Sequence, residues 1–199
     1  MAEPVILASA SPTRRRMLAS AGLDVQAKAG VVDEEGIRRI FRADGRTAAE
    51  CALALAEAKA LQIAGEHRYP LIVGADQILV CGKIWLDKPV DLDDARAQLQ
   101  CLRGRTHELC TAACVVRDRA RIWHTLSSAR LTMRNFSDAF LEAYLGAEQS
   151  ELFGSVGAYR IEGRGIQLFS DIEGDYFSIL GLPLLELLCF LRTRDALSS

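Results

Sequence analysis

The stretch Val5-Ile6-Leu7-Ala8-Ser9-Ala10-Ser11-Pro12-Thr13-Arg14-Arg15-Arg16-Met17-Leu18 decides the fold class. An unbroken apolar run from Val5 to Ala8 is the pattern of a strand covered on both sheet faces, where polar alternation is not needed. Ser11 then stands where a helix wants its N-cap. Pro12 takes the first helical position, where a missing N–H costs nothing. Met17, Leu18 and Ala21 continue one helical face, and Gly22 supplies the stop. A buried strand running straight into a capped helix is the building unit of an α/β protein.

Outward from this unit the same cues recur. A second strand is expected over residues 25–29, followed by an acidic loop, Val32-Asp33-Glu34-Glu35-Gly36. Thr47 and Glu50 form a capping box at the head of an alanine-rich helix that runs to about Ala64 and stops at Gly65. Residues 71–80 are apolar except for Asp76-Gln77, and the turn Cys81-Gly82 returns the chain through Ile84-Trp85 as a hairpin. Asp91 and Asp94 open a helix with Leu92, Ala95, Leu99 and Leu102 on one face, ended by Gly104. Residues 107–117 and 121–133 flank Asp118-Arg119 as a long antiparallel pair. Ser137 caps a helix to about Leu145, the glycine-punctuated residues 154–181 contain short strands, and Pro183 starts a last helix to about Arg192. Helices and strands mix without strict alternation. The expectation is an α/β fold with a twisted mixed sheet and flanking helices. With no linker or repeat, residues 1–199 read as a single domain, open to two lobes around a cleft.

Composition narrows the function. The chain has 199 residues, 50% apolar and 25% charged, with a formal net charge of −2, which is a globular balance rather than a disordered one. A near-neutral charge gives no basic face for nucleic acid. No apolar run approaches the roughly 20 residues needed to span a bilayer. Met1-Ala2-Glu3-Pro4 carries no basic region, so no secretory leader is expected, and the chain reads as soluble and intracellular. The cysteines Cys51, Cys81, Cys101, Cys110, Cys114 and Cys189 lack metal-binding spacing and read as buried reduced thiols. His67, His107 and His124 are scattered, with no neighbour that suggests catalysis.

Two features look misplaced in an ordinary fold. Arg14, Arg15 and Arg16 lie in the first turn of a helix, where the macrodipole already presents positive charge. They either point outward as a solvated patch or, with Ser9, Ser11 and free backbone N–H groups, cradle an anion. Asp76 interrupts an otherwise apolar strand. A buried unpaired carboxylate costs several kcal/mol. Asp76 therefore bonds backbone N–H groups at a bulge, or serves a cation, a metal or a pocket for which Gly74 and Ala75 leave room. Glu34, Lys59 and Lys88 read singly as surface charges. Together with Asp76 and the arginines they supply what a polyphosphate needs, namely cations for its oxygens and carboxylates for a hard divalent metal.

Over essentially its full length the chain resembles the Maf family of nucleoside triphosphate pyrophosphatases. The resemblance is carried, in the family's order, by Leu7-Ala8-Ser9-Ala10-Ser11-Pro12 with Arg14, Asp33-Glu34, Ala58-Lys59-Ala60, Gly74-Ala75-Asp76-Gln77, Lys88-Pro89, Gly157-Ala158-Tyr159 and Gly181-Leu182-Pro183-Leu184. It implies two lobes around a nucleotide cleft, as in inosine triphosphate pyrophosphatase, a divalent cation (Mg2+ or Mn2+), a cytoplasmic setting and frequent homodimers. It also implies cleavage of a nucleoside triphosphate to the monophosphate and pyrophosphate. On this resemblance Asp76 is the proton acceptor, and Ser9, Ser11, Arg14, Glu34, Lys59 and Lys88 handle nucleotide and metal. Glu34 is the second carboxylate for the metal, and Arg15 joins the cations.

Three positions bear on the base. The branch of the family acting on dTTP and UTP carries Arg, Thr and Gln there, and the branch acting on 7-methyl-GTP a bulky aromatic, Gln and Glu. This chain has Thr13, Gln77 and Glu162, of which Gln77 and Glu162 match the 7-methyl-GTP branch, as does the pair Arg14-Arg15. A carboxylate at 162 can accept from the N1–H and N2–H2 edge of guanine and favours the positive charge of a 7-methylated ring. Read without the resemblance, Glu162 is a solvent-exposed acid. The alternatives are a dTTP/UTP pyrophosphatase and a nucleotide-binding regulator of cell division with little turnover.

Overall fold

Residues 4–65 and 70–197 are described by the computed structural model; Met1-Ala2-Glu3 and His67, read above, lie outside the described residues. The opening unit forms as its sequence dictates. Strand β1 (Val5–Leu7) leads into helix α1 (Pro12–Ser20), where the Ser11 hydroxyl accepts the Arg14 N–H at 3.3 Å. Strand β2 (Gln26–Ala27) pairs parallel with β1. Helix α2 (Glu34–Ala43) precedes helix α3 (Ala48–Ala64), whose head is the reciprocal Thr47–Glu50 capping box. Strand β3 (Leu71–Cys81) turns through Gly82 into strand β4 (Ile84–Leu86). Helix α4 (Leu92–Leu102) is capped by Asp91. Strands β5 (Thr106–Arg117) and β6 (Ala120–Met133) are joined by Asp118 and Arg119, both left-handed (φ 50° and 64°), as a tight hairpin turn requires. Ser137 caps helix α5 (Asp138–Glu148). Strand β7 (Phe169–Glu173), the short helix α6 (Tyr176–Ile179) and helix α7 (Leu184–Arg192) complete the chain.

The strands form one mixed sheet in the order β2-β1-β3-β5-β6-β7, with β4 pairing off β3. Pairs β1–β2 and β1–β3 are parallel, whereas β3–β4 and β6–β7 are antiparallel. This is the expected α/β class. The chain divides into two compact units, the first made of residues up to Gln77, Thr111–Ser127 and from Asp175 onward, the second of Ile78–Cys110 and Ser128–Gly174. In the first unit, the odd positions of β3 (Leu71, Val73, Ala75) join Met17 and Leu18 of α1 and Leu184, Leu187 and Leu191 of α7 in one core. Side chains alternate across a strand, so Ile72, Gly74 and Asp76 face the other way, toward α3. In the second unit buried His107 hydrogen-bonds the Tyr159 hydroxyl at 2.8 Å. Among the described residues no helix is long and apolar enough to cross a membrane.

Several expectations are corrected. Glu34 does not lie in a loop but opens α2, because Asp33 accepts the Gly36 N–H at 2.9 Å and two acids in the first turn suit the helix dipole. Residues 154–181 contain one short strand, β7, where several were expected. Short 3-10 turns occupy the segment around it, and left-handed Gly157, Gly174 and Gly181 break any longer extended run. On α4 the buried face is Ala95, Gln98, Leu99 and Leu102, with Leu92 exposed in the first turn. All six cysteines are free, but Cys189 is exposed and Cys101 half-buried.

Candidate active site

The site grows from the contact of α3 with β3. Gly74 has no side chain, and a Cβ there would run into the Ala56 carbonyl oxygen and lie 3.0 Å from the Ala60 methyl. The alanines Ala52, Ala56 and Ala60 are fully buried, so the helix backbone lies directly on the strand. The space that Gly74 leaves is thus filled by α3 and not by a ligand, contrary to the expectation from sequence. One residue before Ala60, Lys59 projects its ammonium to 2.5 Å from Asp76 Oδ1 and 2.9 Å from Glu34 Oε1. Arg38, one helical turn after Glu34, lies 3.1 Å from Glu34 Oε2 and 4.0 Å from Asp76 Oδ2. Asp76 sits in an uninterrupted strand and bonds a lysine, not a bulge of backbone N–H groups.

Arg14 joins this cluster from α1. Its Nε donates to the Gly181 carbonyl at 2.7 Å and its Nη1 to Ser9 Oγ at 3.3 Å. Ser9 Oγ also accepts the Ser11 N–H at 3.2 Å. Backbone N–H groups that the sequence offers to an anion are therefore partly taken by the serines themselves. Arg15 and Arg16 are exposed, and with Ser9, Ser11, Ala27 and Ala29 they line a cavity of about 500 Å³ at the carboxyl end of β1. Parallel strands commonly present ligand sites at that end.

Electrostatics tie the parts together. Burial holds the Arg14 pKa below its ordinary value, more than the negative charges of Asp76 and Glu34 offset. Burial raises the Glu34 carboxyl, but Lys59 first and then Arg38, through charge and hydrogen bonds, outweigh it and hold Glu34 below its ordinary value. Asp76 is 5% exposed, and its Oδ2 is buried without a hydrogen-bond partner. A buried carboxylate oxygen left in that state is expensive unless the site supplies a proton donor or a cation.

The structure brings together Ser9, Arg14, Glu34, Lys59 and Asp76, and adds Arg38. The signal for Arg38 was its spacing, four residues after Glu34, legible only once α2 is known to be a helix. Gln77 points to the opposite sheet face, its amide nitrogen 2.8 Å from Thr111 Oγ1. Thr13 lies in the first turn of α1. Lys88, following β4, and Glu162, in a turn after Tyr159, are exposed residues of the second unit. Among the described residues no cluster of three or more His, Cys, Asp or Glu could hold a metal on its own. Asp76 with Glu34 nonetheless suits a hard cation of the Mg2+ type, which takes one or two carboxylates and completes its shell with water and phosphate.

The chain is similar to known proteins over nearly its whole length. A family model described as Maf-like protein matches residues 4–194. A nucleoside triphosphate pyrophosphatase of Granulibacter bethesdensis is 50% identical over 194 residues, 98% of each chain. Another, of Rhodospirillum rubrum, is 50% identical over 196 residues, 98% of this chain and 97% of its own. A 7-methyl-GTP pyrophosphatase of Mesorhizobium japonicum is 46% identical over 197 residues, 99% of each chain.

Proposed function

This chain belongs to the Maf family, and on that premise we propose how it acts. It is a nucleoside triphosphate pyrophosphatase, a hydrolase that cleaves the α–β phosphoanhydride bond and releases monophosphate and pyrophosphate. The observation that carries the site is the division of labour on Asp76, whose Oδ1 is held by Lys59 while Oδ2, 4.0 Å from Arg38, accepts no hydrogen bond. A general base needs one anchored oxygen and one free to take a proton within hydrogen-bond reach.

In this reading a water attacks the α-phosphorus in line as its proton passes to Asp76 Oδ2, and pyrophosphate leaves from the far side. Lys59 bridges Asp76 and Glu34, so both carboxylates keep one orientation. Arg14, oriented by Ser9 and Gly181, binds phosphate oxygens and offsets the charge growing on the leaving group. Arg15 and Lys88, taken from the family pattern, add further cations. Asp76 and Glu34 would hold Mg2+ or Mn2+, which when bound neutralises phosphate charge.

The proposed preference is for modified nucleotides such as 7-methyl-GTP. Its support is the pair Arg14-Arg15 and Glu162, together with relatives that carry that name. The setting is the cytoplasm, with a homodimer acting on free nucleotides and not on nucleic acid. The test is pyrophosphate release from a panel of normal and modified triphosphates, with Mg2+ and then with a chelator. Turnover that needs the metal and favours 7-methyl-GTP is expected. About tenfold higher kcat/KM on dTTP or UTP would move the chain to the pyrimidine branch.

A further inference from the structure

Asp76 and Gln77 are adjacent in β3, and strand alternation sends them to opposite faces. Gln77 Nε2 lies 2.8 Å from Thr111 Oγ1, 3.0 Å from the Ser178 carbonyl and 3.1 Å from the Ile179 carbonyl. Two carbonyls can only accept, so the nitrogen and not the oxygen of the amide must face them. The Thr111 hydroxyl, accepting from Gln77, donates in turn to the Ser178 carbonyl at 2.9 Å. Thr111 is 2% exposed and Ser178 is 1% exposed, which makes these bonds costly to lose.

The same Ser178 carbonyl accepts the Gly181 N–H at 2.9 Å, and the Gly181 carbonyl accepts Arg14 Nε at 2.7 Å. Hydrogen bonds joined through the backbone of Gly181 therefore lead from Gln77 by way of the Ser178 carbonyl to Arg14. Gly181 has φ +100°, and a Cβ there would stand 3.3 Å from Arg14 Nη2, so the guanidinium rests against bare backbone. The resemblance set Gln77 among the base-selecting positions, yet the donors of its amide are spent on protein acceptors.

We infer that Gln77 is a positioning residue for the triphosphate: by fixing residues 178–181 it aims Arg14, and so it acts on the phosphates of every substrate and not on the base. This rests on the reading that Arg14 binds phosphate. A methionine at 77 keeps the length and removes the donor. An alanine at 14 removes the guanidinium.

The experiment uses the full chain with Mg2+ and a base-free probe, inorganic tripolyphosphate, measured by calorimetry alongside KM for 7-methyl-GTP, GTP, UTP and dTTP. Gln77→Met should weaken tripolyphosphate binding and raise every KM by a common factor of about ten, the scale of one lost Arg14–phosphate hydrogen bond. Thr111→Val, which removes both bonds of the Thr111 hydroxyl but leaves those of Gln77 to the Ser178 and Ile179 carbonyls, should give a smaller common factor, roughly three. Gln77→Met combined with Arg14→Ala should be no worse than Arg14→Ala alone. Unchanged tripolyphosphate binding, a KM effect confined to one base, or multiplying losses would each overturn the inference. If Gln77→Met fails to fold, Thr111→Val decides by the same measures. Wild-type tripolyphosphate binding by Arg14→Ala would instead sink the phosphate role of Arg14, and the relay with it. A chain that binds the probe but hydrolyses no nucleotide would sink the enzymatic reading, while the binding series still judged the relay.

Discussion

The carbonyl oxygen of Ala56 occupies the place that a Cβ on Gly74 would need. That approach of α3 to β3 sets the separation at which Lys59, three residues along the helix, meets Asp76, two along the strand.

Gly74→Ala should therefore act at a distance from its own position. Neither a helix carbonyl nor a central strand can give way cheaply, and the expected loss is about 2–4 kcal/mol of stability, read from chemical denaturation. Activity should fall with it as Lys59 lifts from Asp76. A variant with unchanged midpoint and turnover would mean that α3 slides freely.

Asp76→Asn keeps the shape and the bulk of the side chain but removes its basicity. Pyrophosphate release should drop by about a hundredfold or more with the circular-dichroism spectrum intact. Wild-type release from this variant would remove Asp76 from the chemistry.

Lys59→Met strips the ammonium from between Glu34 and Asp76. Breaking a buried pair leaves charge uncompensated, at an expected cost of about 3 kcal/mol. The Glu34 carboxyl, held below its ordinary value mainly against burial by Lys59, should titrate higher in the variant, measurable by carboxyl NMR. A carboxylate with a depressed folded pKa stabilises the fold above its unfolded value and loses that contribution as pH falls through the folded one. The wild type should thus shed this stabilisation below about pH 4.5, and Lys59→Met should have little of it to shed.

His107 predicts a second pH dependence, in the other unit. Burial lowers its pKa from 6.5 to about 4, so it is neutral in the fold. Between those values the unfolded chain takes up a proton that the folded chain does not, and stability falls as pH falls from 6.5 toward about 4. The total is about 3 kcal/mol. His107→Gln retains a polar partner for Tyr159 and should flatten the unfolding profile across that window.

Gly181→Ala tests the support of Arg14 directly. A φ of +100° disfavours any Cβ, and the one built there presses on the guanidinium at 3.3–3.4 Å. The expected result is a KM raised about tenfold with kcat changed less, since the phosphate grip moves while Asp76 stays. A pure loss of kcat would point to a different duty for Arg14.

What could be read from the chain followed from local chemistry. Ser11, Thr47 with Glu50, Asp91 and Ser137 each announced a helix start, and each caps one. The hairpin at Asp118-Arg119 was equally legible from two long runs around a short polar turn. Helix α2 was not, because Gly36 in an acidic run resembles a loop, and only the Asp33 cap and the Glu34–Arg38 spacing mark it. At the site, Asp76 and Arg14 stood out as charges without local partners. Arg38 and the purpose of Gly74 stayed hidden, since both depend on which helix lies against β3. Gln77 could be noticed but not understood, because its partners lie 34 to 102 residues away in the chain.

Around Asp76 the side chains of Arg14, Arg38 and Lys59 outnumber the two carboxylates, Asp76 and Glu34, by one positive charge. A polyanion is drawn toward such a surplus before it touches anything, and dissolved ions shorten the reach of that pull to about 10 Å at 0.1 M. Capture of nucleotide should therefore slow as ionic strength rises, even where the catalytic step itself does not.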